Sequence, residues 1–385
     1  MNKNNKSSIT SKGAMGRRSF MKRLGIAGAA ATLPVGTLFT GQTRANAFEI
    51  VRSNGRLSAG DAAILRFLAA AELIEADLWT QYAELGGIGN NPPVELDPSQ
   101  PMNAYQAALQ NLDGDATQYI ASNTLDEVSH ANFLNAYLES RGAEPVNFDE
   151  FRTLQGSTAT GSSGIGRLTN LMHLFVDTSW FVRYRSATNP DLGATFPQAI
   201  EINDRTAIPI TDDDFNDPNH IQVIANTAAF HFGYIEQGGS SLYATMSQKV
   251  NDPEVLEITL GIGGDEIMHF LEWVDFAGNA VQQPVAPVTD PTNGQTFPDF
   301  FNNPPLQPAS LVQPSLIFPV PCEFISPKLP KVSIIRPLTD RFAGAVATIA
   351  SFTADGLFTG QSKKFLETLQ VLAEEADAAS RAYNS

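Results

Sequence analysis

Two short segments constrain the fold of this chain more than any other feature: "DEVSHANF" (126–133) and "DEIMHF" (265–270). Each sets a glutamate and a histidine three residues apart among apolar neighbours. Together they use two of the five histidines in 385 residues. Helical spacings of three and four put Ile120, Asn123, Glu127, His130, Leu134 and Tyr137 on one stripe. Thr259, Gly263, Glu266, His269, Trp273 and Phe276 form a second stripe of the same kind. Both pairs therefore point where the apolar side chains point. A carboxylate buried alone costs several kcal/mol or takes up a proton, so partners are needed elsewhere in the chain.

Two further helical stripes supply them. One carries Leu65, Leu68, Glu72, Glu75, Trp79 and Tyr82; the other carries Phe232, Glu236, Gly239, Tyr243 and Met246. In each, an inward glutamate is followed seven residues later by an aromatic: Glu72 by Trp79, Glu236 by Tyr243. The chain thus reads as two related halves, each with one lone-glutamate helix and one Glu-x-x-His helix. The helices are expected over about 58–86, 115–141, 218–249 and 252–277. Ser58 with Asp61 reads as a capping box, and Gly86-Gly87 as a stop. Gly142, with Pro145 beyond it, closes the second helix. Asp217-Pro218 and Asp252-Pro253 open the third and fourth.

Four carboxylates can neutralise two divalent cations. Their hard oxygens suit Fe or Mn, and two imidazoles add affinity. The i,i+3 spacing lets Glu and His grip one ion from one helical face. Glu72, Glu127, His130, Glu236, Glu266 and His269 resemble the ligand set of ferritin-like di-iron and di-manganese carboxylate bundles, and that resemblance implies that they hold two Fe or Mn ions. Glu75 reads as a further ligand, a support behind one, or a half-exposed acid, with support preferred. Trp79 and Tyr243 could bond ligands or relay electrons, with packing the preferred role. His173, His220 and His231 fit no ligand stripe. Gly261, Gly263 and Gly264 beside Glu266 suggest close helix approach or a local bulge.

With "AELIEADLW", "DEVSHANFL", "YIEQGGSSLY" and "DEIMHFLEW", the chain resembles the ferritin-like superfamily over about residues 57–280. Within it, the chain looks most like exported ferritin-like domain proteins related to plant desiccation-related proteins. The resemblance implies an all-α, ferritin-like four-helix bundle with a long crossover. It also implies Glu127 and Glu266 as bridging carboxylates, Glu72 and Glu236 as terminal ligands, and one histidine on each metal. Redox chemistry follows as the expected function, either Fe(II) oxidation or reduction of O2 or peroxide, with a metal ion or small-molecule oxidant as partner. Metal storage in a shell, or a non-catalytic stress or desiccation-related role, are the alternatives.

The remainder departs from that pattern. The insertion 142–217 holds a Ser/Gly-rich loop (156–166), an expected helix at about 166–187 and the acidic "TDDDFNDPN". Asp212, Asp214 and Asn216 lack the glycine and twelfth-position glutamate of a calcium loop, so a solvated acidic loop is expected. Prolines crowd 281–337, which keeps its Phe, Leu, Ile and Val and reads as an ordered strap. Helices are expected at about 338–354 and 361–383, making a helical C-terminal extension.

Residues 1–47 read as an export signal. Arg17-Arg18, Phe20 and Lys22 precede an Ala/Gly-rich apolar run and Ala45-Asn46-Ala47, a pattern similar to twin-arginine (Tat) signals. The Tat translocase would then be a partner, and the periplasm or exterior the destination. Removing this segment leaves 17 basic against 41 acidic side chains, about −24, a surface that repels nucleic acid and anionic lipid. No later apolar run is long enough to span a bilayer. The single cysteine, Cys322, excludes an intrachain disulfide and reads as a buried apolar residue.

Overall fold

The protein is described by a computed structural model, covering residues 55–85, 104–178, 180, 200–277, 281–299, 325–333 and 344–381. All belong to one compact unit, Ser53–Ser385. The expected signal at 1–47, Gly86-Gly87, Cys322 and most of the prolines of the strap lie outside these residues.

The fold is all-α. Among the described residues the helices are α1 (Ala59–Leu85), α2 (Ala104–Leu112), α3 (Ala116–Ser140), α4 (Pro218–Ser247), α5 (Pro253–Asp275), α6 (Ala345–Ala354) and α7 (Lys363–Ala378). Helix α1 pairs with α3, and α4 with α5, making the four-helix core. Helix α7 lies on α1 and α6, while α2 lies on α4. Helices α1 and α4 are therefore buried on nearly every face, not on one stripe alone.

Local chemistry sets the helix ends. Asp217 accepts the Asn219 N–H at 2.8 Å and Asp252 accepts that of Glu254 at 2.9 Å, each with proline at the first helical position. Gly142, at φ +70°, lets α3 end in a Schellman turn: the Ala143 N–H reaches the Leu138 carbonyl, and the Gly142 N–H that of Glu139. At the start of α1 the Asp61 N–H donates to Ser58 Oγ. The Asp61 carboxylate does not turn back on the Ser58 backbone. It accepts the Asn251 and Asp252 N–H groups instead, tying the start of α1 to the start of α5.

The expected helix at 166–187 is not present over 166–178; its remainder lies almost wholly outside the described residues. Gly166–Arg167 (β2) pairs antiparallel with Leu154–Gln155 (β1), and the chain then runs on without helix. Leu168, Leu171 and Leu174 are buried at a spacing of three, which mimics a helical stripe. Their backbone groups find partners elsewhere. Asp77 on α1 accepts the N–H groups of Leu168 and Thr169, each at 3.0 Å, and Arg152 at 2.6 Å. Asn170, Leu174 and Phe175 donate to the carbonyls of Leu357, Arg205 and Asp355. Residues 212–216 form a short 3-10 turn capped by Thr211. Asp212 accepts from Thr160, and Asp214 pairs with His220.

Beyond α5, Val288–Thr289 (β3) and Thr296–Phe297 (β4) form a hairpin against α4. Val281, Val285, Ala286 and Phe297 are buried there. Among the described residues no helix is long and apolar enough to cross a membrane.

Candidate metal centre

The inward stripes of α1, α3, α4 and α5 bring Glu72, Glu127, Glu236, Glu266, His130 and His269 together. The four glutamates are fully buried, and the two histidines nearly so. Two overlapping groups result: Glu72, Glu127, His130 and Glu266, and Glu127, Glu236, Glu266 and His269. Within each, one ligand atom per residue lies within 4.8 Å of the others. Glu127 and Glu266 belong to both groups, and Glu72 and Glu236 to one each.

The contacts are close without being satisfied. His130 Nδ1 lies 3.3 Å from Glu72, 3.5 Å from Glu127 and 3.6 Å from Glu266. His269 Nδ1 lies 3.0 Å from Glu127 and 3.4 Å from Glu236. Yet Glu72 Oε2, Glu127 Oε2, Glu236 Oε2, both Glu266 oxygens and both Nδ1 atoms have no hydrogen-bond partner. Seven buried polar atoms without partners, facing one another, would be a large penalty in an ordinary core. The donor set fits a pair of cations, which would satisfy all of them. The buried cluster is thus compatible with metal binding.

Several groups that sequence reasoning did not single out fix this arrangement. Asp126 accepts His269 Nε2 at 3.2 Å, and Asp265 lies 3.2 Å from His130 Nε2. The acid that immediately precedes each Glu-x-x-His glutamate thus holds the histidine of the opposite helix. The sequence signal was the first letter of the repeated D-E-x-x-H. Such outward carboxylates set the tautomer that turns Nδ1 inward. Asn123 Nδ2 donates to Glu127 at 2.9 Å and Glu236 at 3.2 Å, and its oxygen accepts Trp273 Nε1 at 2.6 Å. Tyr243, for which packing is the preferred reading of the sequence and a bond to a ligand the alternative, donates its hydroxyl to Glu72 Oε1. Trp79 does pack, stacked on Trp273 with ring centroids 5.2 Å apart.

Two glycines let the helices close on this site. A Cβ on Gly239 would fall on Glu266 Oε2, and one on Gly263 would come within 2.7 Å of Tyr243 Cβ. Gly261 and Gly264 face open space and serve no such approach. Glu75 is buried beside the cluster but belongs to neither group. Of the histidines set aside, His173 pairs with Asp204 on the surface, and His220 bridges Asp214 and Asp290. His231 is buried and belongs to neither group.

Burial, then repulsion from Glu236, pushes the Glu127 carboxyl up to about 7. Burial and neighbouring carboxylates also raise Glu266 and Glu75 well above the usual range. Burial pulls His130 down, but Glu127 and Glu72 outweigh it and hold the imidazole at about 10. His269 is raised in the same way, by Glu236, Asp126 and Glu127 against burial. The folded chain without metal therefore binds more protons than the unfolded chain, so its stability falls as pH rises. The Glu127 contribution is lost from its ordinary 4.5 through about 7. That of His130 is intact below 6.5 and lost through about 10. Melting curves of chelator-treated protein should show a Tm falling steadily between these limits. Saturation with Fe(II) or Mn(II) should lift the curve most at the alkaline end, because cations take the place of those protons. A Tm of the chelated protein that rises over this window would contradict the burial of unpaired carboxylates.

No curated protein and no solved structure matches this chain. A family model described as "Ferritin-like domain" matches residues 60–271, more than half of the 385 residues. That span runs from the first turn of α1 into α5 and takes in all six clustered Glu and His side chains. With a helical fold, paired helices and a buried carboxylate–imidazole core in agreement with that match, the chain belongs to the ferritin-like domain family.

Proposed function

We propose that the protein is exported by the twin-arginine route and holds two Fe or Mn ions between α1, α3, α4 and α5. Its function on this reading is redox chemistry, oxidising Fe(II) or reducing O2 or peroxide. The observation that carries it is the set of seven buried ligand atoms without hydrogen-bond partners, drawn from four helices. Glu127 and Glu266 would touch both ions, with Glu72 and His130 on one and Glu236 and His269 on the other. A pair of redox metals there would supply one-electron steps in a site that largely excludes bulk water.

The chain's own residues do the rest. Asp126 and Asp265 orient the imidazoles, Asn123 and Tyr243 orient the carboxylates, and the aromatic wall of Trp79, Phe232 and Trp273 keeps one end dry. Asp126 and Asp265 are half-exposed and lie outside the histidines. They mark the side from which a cation or a small oxidant would approach. The charge of about −24 after loss of 1–47 favours cation arrival at such a mouth.

Elemental analysis of protein exported in its native host, and of chain reconstituted anaerobically, tests the reading. It should find about two Fe or Mn per chain. Absence of both ions after reconstitution would remove it. Loaded protein that consumes neither O2 nor peroxide would leave a storage or non-catalytic role.

A further inference from the structure

A second buried constellation lies beside the carboxylate cluster and takes no part in it. The Tyr82 hydroxyl is 2.6 Å from His231 Nδ1, and His231 Nε2 is 3.0 Å from Asp355 Oδ2. All three residues are buried. A carboxylate only accepts, so Nε2 is the donor to Asp355. A neutral imidazole then accepts at Nδ1, and the Tyr82 O–H donates to it. Burial pushes the Tyr82 phenol well above its usual range, so it keeps its proton at rest.

Asp355 is expensively placed. It is the C-cap of α6, where the helix dipole disfavours an anion. Its Oδ1 is buried without a hydrogen-bond partner. Two penalties on one side chain are more than a passive Tyr–His contact requires, since the imidazole tautomer could be fixed by a backbone carbonyl. An imidazolium at His231 gives this carboxylate a full counter-charge across the Nε2–Oδ2 bond, which offsets the cost of its placement.

Aromatic rings join this triad to the carboxylates. Tyr82 lies 5.6 Å from Trp79 between ring centroids, and Trp79 stacks on Trp273 at 5.2 Å. Trp273 donates to Asn123, which donates to Glu127 and Glu236. Phe232 fills the angle between the three rings, and every ring is fully buried.

We propose that Tyr82 is a reversible one-electron donor, with His231 as its proton acceptor, Asp355 as the group that holds the resulting imidazolium, and Trp79 and Trp273 as the electron's route to the carboxylate cluster. In the forward step the Tyr82 O–H bond breaks. The proton passes to His231 Nδ1, one electron leaves through Trp79 and Trp273, and a neutral tyrosyl radical remains. The imidazolium then pairs with Asp355, so charge is balanced within the triad. The electron acceptor is a redox metal ion in its higher oxidation state at the cluster. That clause rests on the function proposed above; the donor and proton acceptor do not. The C-terminal extension thereby acquires a role, since it supplies Asp355.

The test begins with full-length, chelator-treated protein, oxidised by flash-generated tris(bipyridyl)ruthenium(III), freeze-quenched and read by electron paramagnetic resonance. One dominant tyrosyl signal is expected, lost in Tyr82→Phe and retained in Tyr119→Phe, which removes a half-exposed tyrosine. A signal that survives Tyr82→Phe at full yield overturns the proposal. Should that variant misfold, the unsubstituted protein decides, grown with nitrogen-labelled histidine. Electron–nuclear double resonance should show the radical coupled to an exchangeable proton and to a histidine nitrogen, and absence of both overturns the proposal. Fe(II) and O2 should then raise the same signal in reconstituted protein, whereas Zn(II) should not. A radical formed by light but not in iron-loaded protein overturns the electron route. Failure to load iron is a separate result, read by elemental analysis, and counts against the function proposed above.

Discussion

Glu127→Ala is expected to strip the chain of both metal ions. Glu127 belongs to both four-residue groups, and one of its oxygens also receives Asn123. Removing it takes one carboxylate from each group and frees Asn123 to turn away. Elemental analysis should fall from about two ions per chain to near none. Glu72→Ala and Glu236→Ala each touch one group and should keep about one ion. In the metal-free fold the change removes both a charge repelled by Glu236 and a partner of His130 and His269, so the chelated variant should lose the Glu127 share of the pH dependence between 4.5 and about 7. Two ions retained in Glu127→Ala would mean that the shared position is not a shared ligand.

Asp77→Ala should produce the largest loss of stability. Asp77 Oδ2 accepts the N–H groups of Leu168 and Thr169, the Thr169 hydroxyl at 2.8 Å and Gln81 at 3.2 Å; Oδ1 accepts Arg152. Alanine leaves two buried backbone donors and a half-buried guanidinium without their acceptor. Loss of one partner from such a network costs about 3–5 kcal/mol. Denaturant melts should show that change, with Tm lower by about 10 °C. Hydrogen exchange should locate it in 166–178. A melt unchanged within error would show that the crossover is held by its apolar side chains alone.

The four core helices were legible in the sequence because their stripes are long and their caps are strong. Asp217-Pro218 and Asp252-Pro253 gave starts that agree with α4 and α5. The six clustered side chains were legible because ionisable residues stood at core positions of those stripes. The segment 166–178 was not, since buried leucines three apart satisfy a helical template while the backbone bonds to α1 and to the C-terminal region. Ala104–Leu112 is not legible for a different reason: its buried Tyr105, Ala108, Leu109 and Leu112 do follow a helical spacing, but nine residues are too few to separate that spacing from chance. Tyr243 and Asp355 depend on partners more than a hundred residues away, a distance no local pattern encodes.

The crossed contacts of Asp126 with His269 and of Asp265 with His130 carry one more implication. Each rod grips the ring of its neighbour, so sliding one along the other by a single turn would misaim both imidazoles together. Shear between these two helices and loss of coordination are then a single mechanical event. Cation occupancy should stiffen the pair along its length as a splint does, far beyond the six side chains it touches.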